Sequence, residues 1–329
     1  MTKEWAERIA RIKKIRLCHA NFDRVQSAIR TCITLSKYGS PMHIVLTGPT
    51  GVGKTVLCRS LIQEYHKDPI ISDGYRRRRV GGFYAQLGSP ISIAAIMQAI
   101  LRSLGDPFPL TGSYGSREGR IFTLLDTAET ELIILDEFHH LEAEGGAWTD
   151  PKNSNEVINW LKWLLDELKC PLVLAGTAKV AALVRGDGQL SRRMEKSLEM
   201  YHLPVYAPET DSGTPGDFCS YSDQYALEVS KACEVTFTFK PTDDHVRMLI
   251  LAATGGNPSA IASLHRLAIM SSVTKRSDGK VTMDDLLNAA DEEVFEGFMA
   301  TSRNPFRMDQ ATVVQELKER GIIDDALVA

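Results

Sequence analysis

Gly48-Pro49-Thr50-Gly51-Val52-Gly53-Lys54-Thr55 joins a short apolar strand pattern, His43–Thr47, to a helical pattern running from Lys54 to about Tyr65. The spacing is G-x-x-x-x-G-K-[ST] in full, in the strand-to-helix setting that a phosphate-binding loop requires. Each residue type has a chemical reason. Glycines let backbone N–H groups close on phosphate oxygens with no Cβ in the way. The helix N-terminus behind them adds partial positive charge. Lys54 suits the β- and γ-phosphates of a nucleotide, and the Thr55 hydroxyl suits Mg²⁺. A Gly-rich turn without a ligand is the plain alternative, and the complete motif in its proper context argues against it.

Eighty-two residues beyond Lys54, the apolar run Leu132-Ile133-Ile134-Leu135 ends in Asp136-Glu137. A strand of this kind, buried in a parallel sheet, delivers Asp136 to the sheet edge, where it can hold the Mg²⁺ shell. Glu137 is placed to orient and deprotonate an attacking water; a helix-capping acidic pair is the alternative. His139 and His140 have no His or Cys partner at ligand spacing and read as polar groups of the loop. Pro171–Ala175 followed by Gly176-Thr177 reads as a strand flanking the phosphate strand and ending in a hydroxyl. Thr177 then contacts the γ-phosphate or the lytic water, or else simply caps the helix after it. Arg192 and Arg193 precede the last apolar strand, Leu198–Val205. They read either as a finger aimed at a neighbouring subunit's nucleotide or as solvated helix-end cations.

Around these motifs, strands expected at His43–Thr47, Val80–Ala85, Leu132–Leu135 and Pro171–Ala175 alternate with helices at Ile91–Leu104, Arg120–Glu129 and Asn155–Leu168. That alternation predicts an α/β fold, a parallel sheet with helices on both faces. Residues 5–37 read as helical and basic. Past Pro208 the periodicity is helical: Phe218–Cys233, Thr242–Thr254, Pro258–Val273 and Thr282–Glu296. The expected organisation is a basic N-terminal helical segment packed on the core (1–40), a nucleotide-binding domain (41–207), a helical domain (208–300) and an acidic tail (301–329).

The 329 residues are 43% hydrophobic and 24% charged, ordinary for a soluble globular protein. The longest weakly polar run, Pro90–Leu101, is shorter than the ~18 residues a membrane span needs. The N-terminus lacks the apolar stretch of a signal peptide. Six scattered cysteines without a CxxC pair read as reduced thiols. The expected location is the cytoplasm. The net charge of −4 is uneven: residues 1–37 carry nine Lys/Arg against three Asp/Glu, and residues 280–329 carry five against eleven. A basic arm and an acidic end suggest polyanion contact at one and a protein partner at the other, or two solvated helical ends. Arg76-Arg77-Arg78-Arg79 is the densest charge run, read as a grip on DNA phosphates, extended by Arg102, Arg117 and Arg120, or as a solvated loop. Glu142–Ser154, with Trp148 and Lys152, reads as a polar loop facing a pore or partner.

Taken together, the phosphate loop, the Asp-Glu strand, the polar residue closing the next strand, the Arg pair and the helical C-terminal region resemble the AAA+ ATPases. More narrowly, the sequence resembles the TniB/TnsC family of transposition regulators, including those of CRISPR-associated transposons. Trp5, His19-Ala20-Asn21-Phe22, Leu46–Gly51, Asp136–Leu141, Gly176-Thr177 and Gln189–Arg193 carry that likeness. The resemblance implies a P-loop AAA+ parallel-sheet sandwich with a C-terminal all-helical lid, ATP and Mg²⁺ as ligands, and ATP hydrolysis. It implies Lys54, Glu137 and Thr177 as catalytic groups, with Arg193 favoured over Arg192 as the finger. It further implies rings or helical filaments on duplex DNA, and transposase subunits and a TniQ-type target-selection complex as partners. One departure is informative. The arginine many AAA+ proteins carry early in the lid helix after a Gly-Asn turn is missing; Gly256-Asn257 is followed by Pro258, Ser259, Ala260 and Ile261. This points to slow turnover, with the nucleotide acting as an assembly switch; a replication initiator or helicase-loader type of AAA+ ATPase is the other reading of the same motifs.

Overall fold

The computed structural model describes residues 2–72, 74–141, 151–205 and 216–323. In chain order its elements begin with α1 (Lys3–Arg11), α2 (Ala20–Ser36), β1 (Ile44–Thr47) and α3 (Lys54–Glu64). A hairpin of β2 (Ile70–Ser72) and β3 (Tyr75–Arg77) follows, then β4 (Gly82–Gln86), α4 (Ile93–Leu104), α5 (Tyr114–Thr127) and β5 (Leu132–Asp136). Next come α6 (Pro151–Glu167), β6 (Leu172–Gly176), α7 (Ala178–Gly186), α8 (Gly188–Arg193) and β7 (Lys196–Glu199). The remainder is α9 (Asp217–Cys233), β8 (Thr236–Phe237), α10 (Asp244–Thr254), α11 (Pro258–Lys275), β9 (Lys280–Val281), α12 (Met283–Ala290) and α13 (Gln310–Glu319). The chain divides into two compact units, Asn21–Met200 and Met1–Ala20 with Tyr201–Ala329.

The first unit is a parallel sheet of order β4-β5-β6-β1-β7. Its central strands are buried at every position, and apolar up to their last residue, because both faces are covered. Ile44, Leu46, Leu132, Ile134, Val173 and Ala175 pack with α2 and α3. The alternate residues Val45, Ile133, Leu135, Leu172 and Leu174 pack with α4 to α8. The register Thr47↔Gly176 and Leu135↔Leu174 brings the ends of β1, β5 and β6 level at one edge. This is the expected α/β sandwich. The last strand differs from the expectation Leu198–Val205: β7 lies at Lys196–Glu199, and of its residues only Leu198 is buried. An outer strand needs one apolar face only, so its sequence lacks a continuous apolar run.

His43, just before β1, ties that strand to its neighbours. Its Nδ1 accepts from the Leu172 N–H and its Nε2 lies 3.1 Å from the Leu165 carbonyl, so Nε2 carries the proton. Burial pushes its pKa down to about 4. Between pH 6.5 and 4 the unfolded chain therefore binds more protons than the folded one, and stability falls as pH falls. From pH 7 to pH 5 this single group is expected to cost about 2 kcal/mol. Urea unfolding at the two pH values should show that drop in the wild type and its loss in His43→Gln; equal pH slopes would refute it.

The second unit is built of α1 and α9 to α13 around Val229, Ile250, Ile261, Leu264, Ile269, Leu286 and Leu317. The N-terminal segment expected to be one piece, 1–40, is split: residues 1–20 group with the C-terminal helices. Ile9 and Ile12 are buried among them, and Arg8 and Arg11 pair with Glu234 at 3.1 and 3.2 Å. The segment 301–329, expected as an acidic tail, contains α13, whose Val313 and Leu317 are fully buried. Its neighbouring acids are largely engaged: Asp291 with Arg307 and Asn304, Asp309 as the cap of α13, and Glu316 with Ser302. The expected boundary at residues 207–208 and most of Glu142–Ser154 fall outside the described residues. On α6, Trp160 sits in the core, whereas Trp163 is 37% exposed. No helix among the described residues is long and apolar enough to cross a membrane.

Candidate nucleotide site

The loop after β1 turns back through three glycines with left-handed or near-left-handed backbone, Gly48 (φ 157°), Gly51 (φ 86°) and Gly53 (φ 98°). Gly53 is the residue before α3, so the loop opens directly onto that helix's free N–H groups. At Gly48 a Cβ would stand 2.3 Å from the Met200 carbonyl oxygen. Only glycine fits that approach, and it brings the loop against the end of β7, where the Met200 N–H donates to the Thr47 carbonyl at 2.8 Å. Lys54 Nζ donates to the carbonyls of Gly48 and Pro49, both at 2.7 Å, arching over the loop. Burial lowers the Lys54 pKa, and Asp136 and Glu137 oppose that effect.

Thr55 and Asp136 meet as the sequence implies. Thr55 Oγ1 donates to Asp136 Oδ2 at 3.0 Å, although the two residues lie on different elements. Asp136 is 1% exposed. Its Oδ1 accepts from the Glu137 N–H at 2.8 Å, and its Oδ2 also accepts from the Tyr84 hydroxyl at 2.8 Å. The sequence reading missed Tyr84. On β4, beside β5, alternation places residues 84 and 86 on the α3 face, and an aromatic hydroxyl there was the available signal. Burial and the Asp136 carboxylate raise the Tyr84 phenol well above its usual value, so it stays a donor.

Glu137 leaves β5 with φ 63°, a left-handed conformation that costs a non-glycine residue on the order of 1 kcal/mol. Its Oε2 lies 3.3 Å from His139 Nδ1 and 3.8 Å from His140 Nε2. The three residues form a close polar cluster that sequence spacing did not suggest. Burial lowers the His139 pKa against the pull of Glu137. Thr177 precedes α7, yet its hydroxyl makes no capping hydrogen bond and its buried Oγ1 has no partner among the described residues. The plain capping role weighed from sequence is therefore not what the side chain does. These observations fit a nucleotide with Mg²⁺: a cradle closed to any Cβ, a cation over it, a buried carboxylate beside a hydroxyl, and an orphaned hydroxyl at the same sheet edge.

The two arginines at the end of α8 part company. Arg193 forms a two-pronged ion pair with Asp166 (2.7 and 2.8 Å) and also donates to the Gln189 carbonyl. Arg192 is exposed and makes no ion pair among the described residues. The arginine run is not one continuous surface: Arg76 and Arg77 lie on β3, and Arg78 and Arg79 follow it outside any strand. It begins in the β2–β3 hairpin, paired Ile70↔Arg77, Ile71↔Arg76 and Ser72↔Tyr75. Arg77 and Arg79 both bind Glu129, at 2.5 and 2.6 Å. Arg117 is buried, and Arg120 is held by Asp106 and two carbonyls, so neither extends a basic surface. Arg102 is exposed.

A sequence comparison with curated proteins gives no match. Among solved structures, the chain is similar to the Aeropyrum pernix ORC1 protein in complex with DNA. The TM-score is 0.55 at 16% identity, over 83% of this chain and 65% of that one. The CDC6p of Pyrobaculum aerophilum gives 0.55 at 15% identity, over 84% and 68%. A Walker-type ATPase of Pyrococcus abyssi gives 0.53 at 12% identity, over 88% and 74%. The chain thus spans just under two thirds of the ORC1 structure, and at such identities the likeness shows the fold alone: an AAA+ P-loop sandwich with a helical C-terminal region. The family model described as the bacterial TniB protein matches residues 8–202, more than half of the chain, including Gly48–Thr55, Asp136-Glu137, Thr177 and Arg192-Arg193. The chain belongs to the TniB family.

Proposed function

We propose that this protein is an ATP-dependent, DNA-binding regulator of transposition that hydrolyses ATP slowly in the cytoplasm. The convergence of the Lys54 loop, the Thr55–Asp136 pair, Glu137 and the orphaned Thr177 hydroxyl at one sheet edge carries the reading, in a chain of the TniB family. The loop Gly48–Thr55 holds the phosphates, with Lys54 on the β- and γ-groups. Thr55 and Asp136 hold Mg²⁺, which when bound neutralises charge developing on the phosphates. Glu137 accepts the proton of the attacking water, and Thr177 aligns that water or the γ-phosphate. A neighbouring subunit supplies the finger. The resemblance favours Arg193, but Arg193 is spent on Asp166, so Arg192 is the arm free to reach across and Arg193 anchors α8 to α6.

In this reading ATP favours assembly of a ring or helical filament on duplex DNA, and hydrolysis releases it. The assembly links a TniQ-type target-selection complex to transposase subunits. The absence of an arginine early in α11, where Asn257 instead caps the helix through the Ser259 and Ala260 N–H groups, supports slow turnover. Sedimentation and negative-stain imaging on duplex DNA with ATP, ADP or a slowly hydrolysed analogue, alongside phosphate release, test the proposal. Assembly should require ATP, vanish in Lys54→Ala, and outlast the wild type in Glu137→Gln. Assembly without phosphate release would make it a nucleotide-switched scaffold. A protein that stays monomeric and ignores DNA in every nucleotide state refutes the transposition reading.

Tyr84 gives a finer check. Its hydroxyl orients the carboxylate assigned to Mg²⁺, and removing such a supporting hydrogen bond typically weakens metal use 10- to 100-fold. Tyr84→Phe is expected to raise the Mg²⁺ needed for half-maximal turnover at least ~10-fold. A shift under about twofold would remove Tyr84 from the metal's supporting shell.

A further inference from the structure

We propose that Arg76 and Arg78, without Arg77 and Arg79, form a phosphate-binding pocket for the backbone of duplex DNA at the free edge of the sheet. This rests on the DNA-binding reading above and names its contact site. Along an extended segment successive side chains point to opposite sides. Arg77 and Arg79 fall on the side of α5's end and share Glu129, whose carboxyl they hold below its ordinary range, Arg79 most strongly. Arg76 and Arg78 fall on the other side and make no ion pair among the described residues.

There they line an open cavity of about 610 Å³ with His66, Lys67, Tyr84 and Ser103, against the outer edge of β4, which ends the sheet. Arg79 also reaches the cavity wall, but its guanidinium is committed to Glu129. The pocket is strongly electropositive. Lys67, Arg76, Arg78 and Arg79 line it, and of the carboxylates beside it Glu131 is shared by Lys37 and Lys67 at 2.5 Å each, Glu129 by Arg77 and Arg79, and Asp68 lies 3.7 Å from His66. Arg78 is also placed by its surroundings. Its guanidinium lies so close over Gly105, at the end of α4, that a Cβ there would stand 2.0 Å from Nη1. The carbonyl end of α4 suits a cation at that spot. Two unneutralised guanidinium forks opening on a solvent-filled groove match phosphate oxygens, and the groove is larger than a single phosphate requires. Contacts of this kind position a duplex without reading its sequence.

The test uses the full chain with a slowly hydrolysed ATP analogue and a labelled duplex of arbitrary sequence, titrated by anisotropy across a range of salt. The paired variant Arg76→Ala with Arg78→Ala should bind at least ~10-fold more weakly, with a slope of log affinity against log salt shallower by about 2 per subunit. Arg77→Ala with Arg79→Ala should lower the thermal midpoint and leave that slope unchanged. If the wild type binds DNA and the 76/78 variant keeps its affinity and slope, the assignment is overturned. It is also overturned if the 77/79 variant loses the same slope. If calorimetry shows inorganic phosphate bound through Arg76 and Arg78 while the DNA isotherms coincide, the pocket serves a free phosphate and the DNA assignment falls. A wild type that binds no DNA in any nucleotide state refutes the parent reading as well.

Discussion

Glu137→Gln is expected to bind ATP as the wild type does and to lose about 10²- to 10⁴-fold in turnover, the range associated with removing a positioned general base. The substitution keeps the shape of the side chain and removes only its ability to accept a proton. Everything assigned to binding lies elsewhere: the glycine loop, Lys54 arched over it, and Thr55 hydrogen-bonded to Asp136. The left-handed backbone at Glu137 is set by the Asp136 carboxylate accepting its N–H, a bond the variant retains. Single-turnover phosphate release with nucleotide retention measured in parallel separates the two effects. Turnover within about threefold of wild type would mean that Glu137 is not the base. In the assembly experiment the same variant should accumulate long-lived complexes on DNA, because loading is intact and release is not.

The site was legible where its chemistry confines it to one stretch of chain, and illegible where it depends on pairing across the sheet. The phosphate loop needs glycines, a lysine and a hydroxyl at fixed spacing, so Gly48–Thr55 shows itself in the sequence. The central strands were legible because burial on both faces makes them unbroken apolar runs; β7, with one buried side chain, was placed about two residues late. Tyr84 was missed because its partner, Asp136, lies 52 residues away on the adjacent strand. The division of the arginine run was hidden for a similar reason. It depends on Glu129, 50 or more residues downstream. Arg193 reads as a free cation until Asp166 is brought beside it by the packing of α6 against α8.

The acidic C-terminal region makes the same point through its expected effect on stability. Read as charge, residues 280–329 look like a docking surface; read as structure, their central carboxylate is internal. Asp285 is fully buried and accepts from the Thr282 N–H and hydroxyl at 2.9 Å each, from the Ser271 hydroxyl at 3.0 Å, and from Arg276. It therefore closes the capping box of α12 and ties that helix to α11. These hydrogen bonds outweigh the cost of burying the charge, since its pKa lies below the ordinary carboxylate range. Asp285→Ala would leave the Arg276 guanidinium and three donors without their acceptor. Arg276 is one-third exposed and keeps Asp278 at 3.8 Å and the Lys280 carbonyl at 3.1 Å, so the cost lies in the unsatisfied donors and is about 1–3 kcal/mol. Its neighbour Asp284 is exposed, so Asp284→Ala should stay within about 0.5 kcal/mol of wild type. Hydrogen exchange is the right measurement, because it resolves α11 and α12 from the sheet and assigns the loss to its own unit. Faster exchange in those helices for Asp285→Ala alone would show that this acid is architecture. Equal protection in the two variants would return the acidic end to the list of surfaces open to a protein partner.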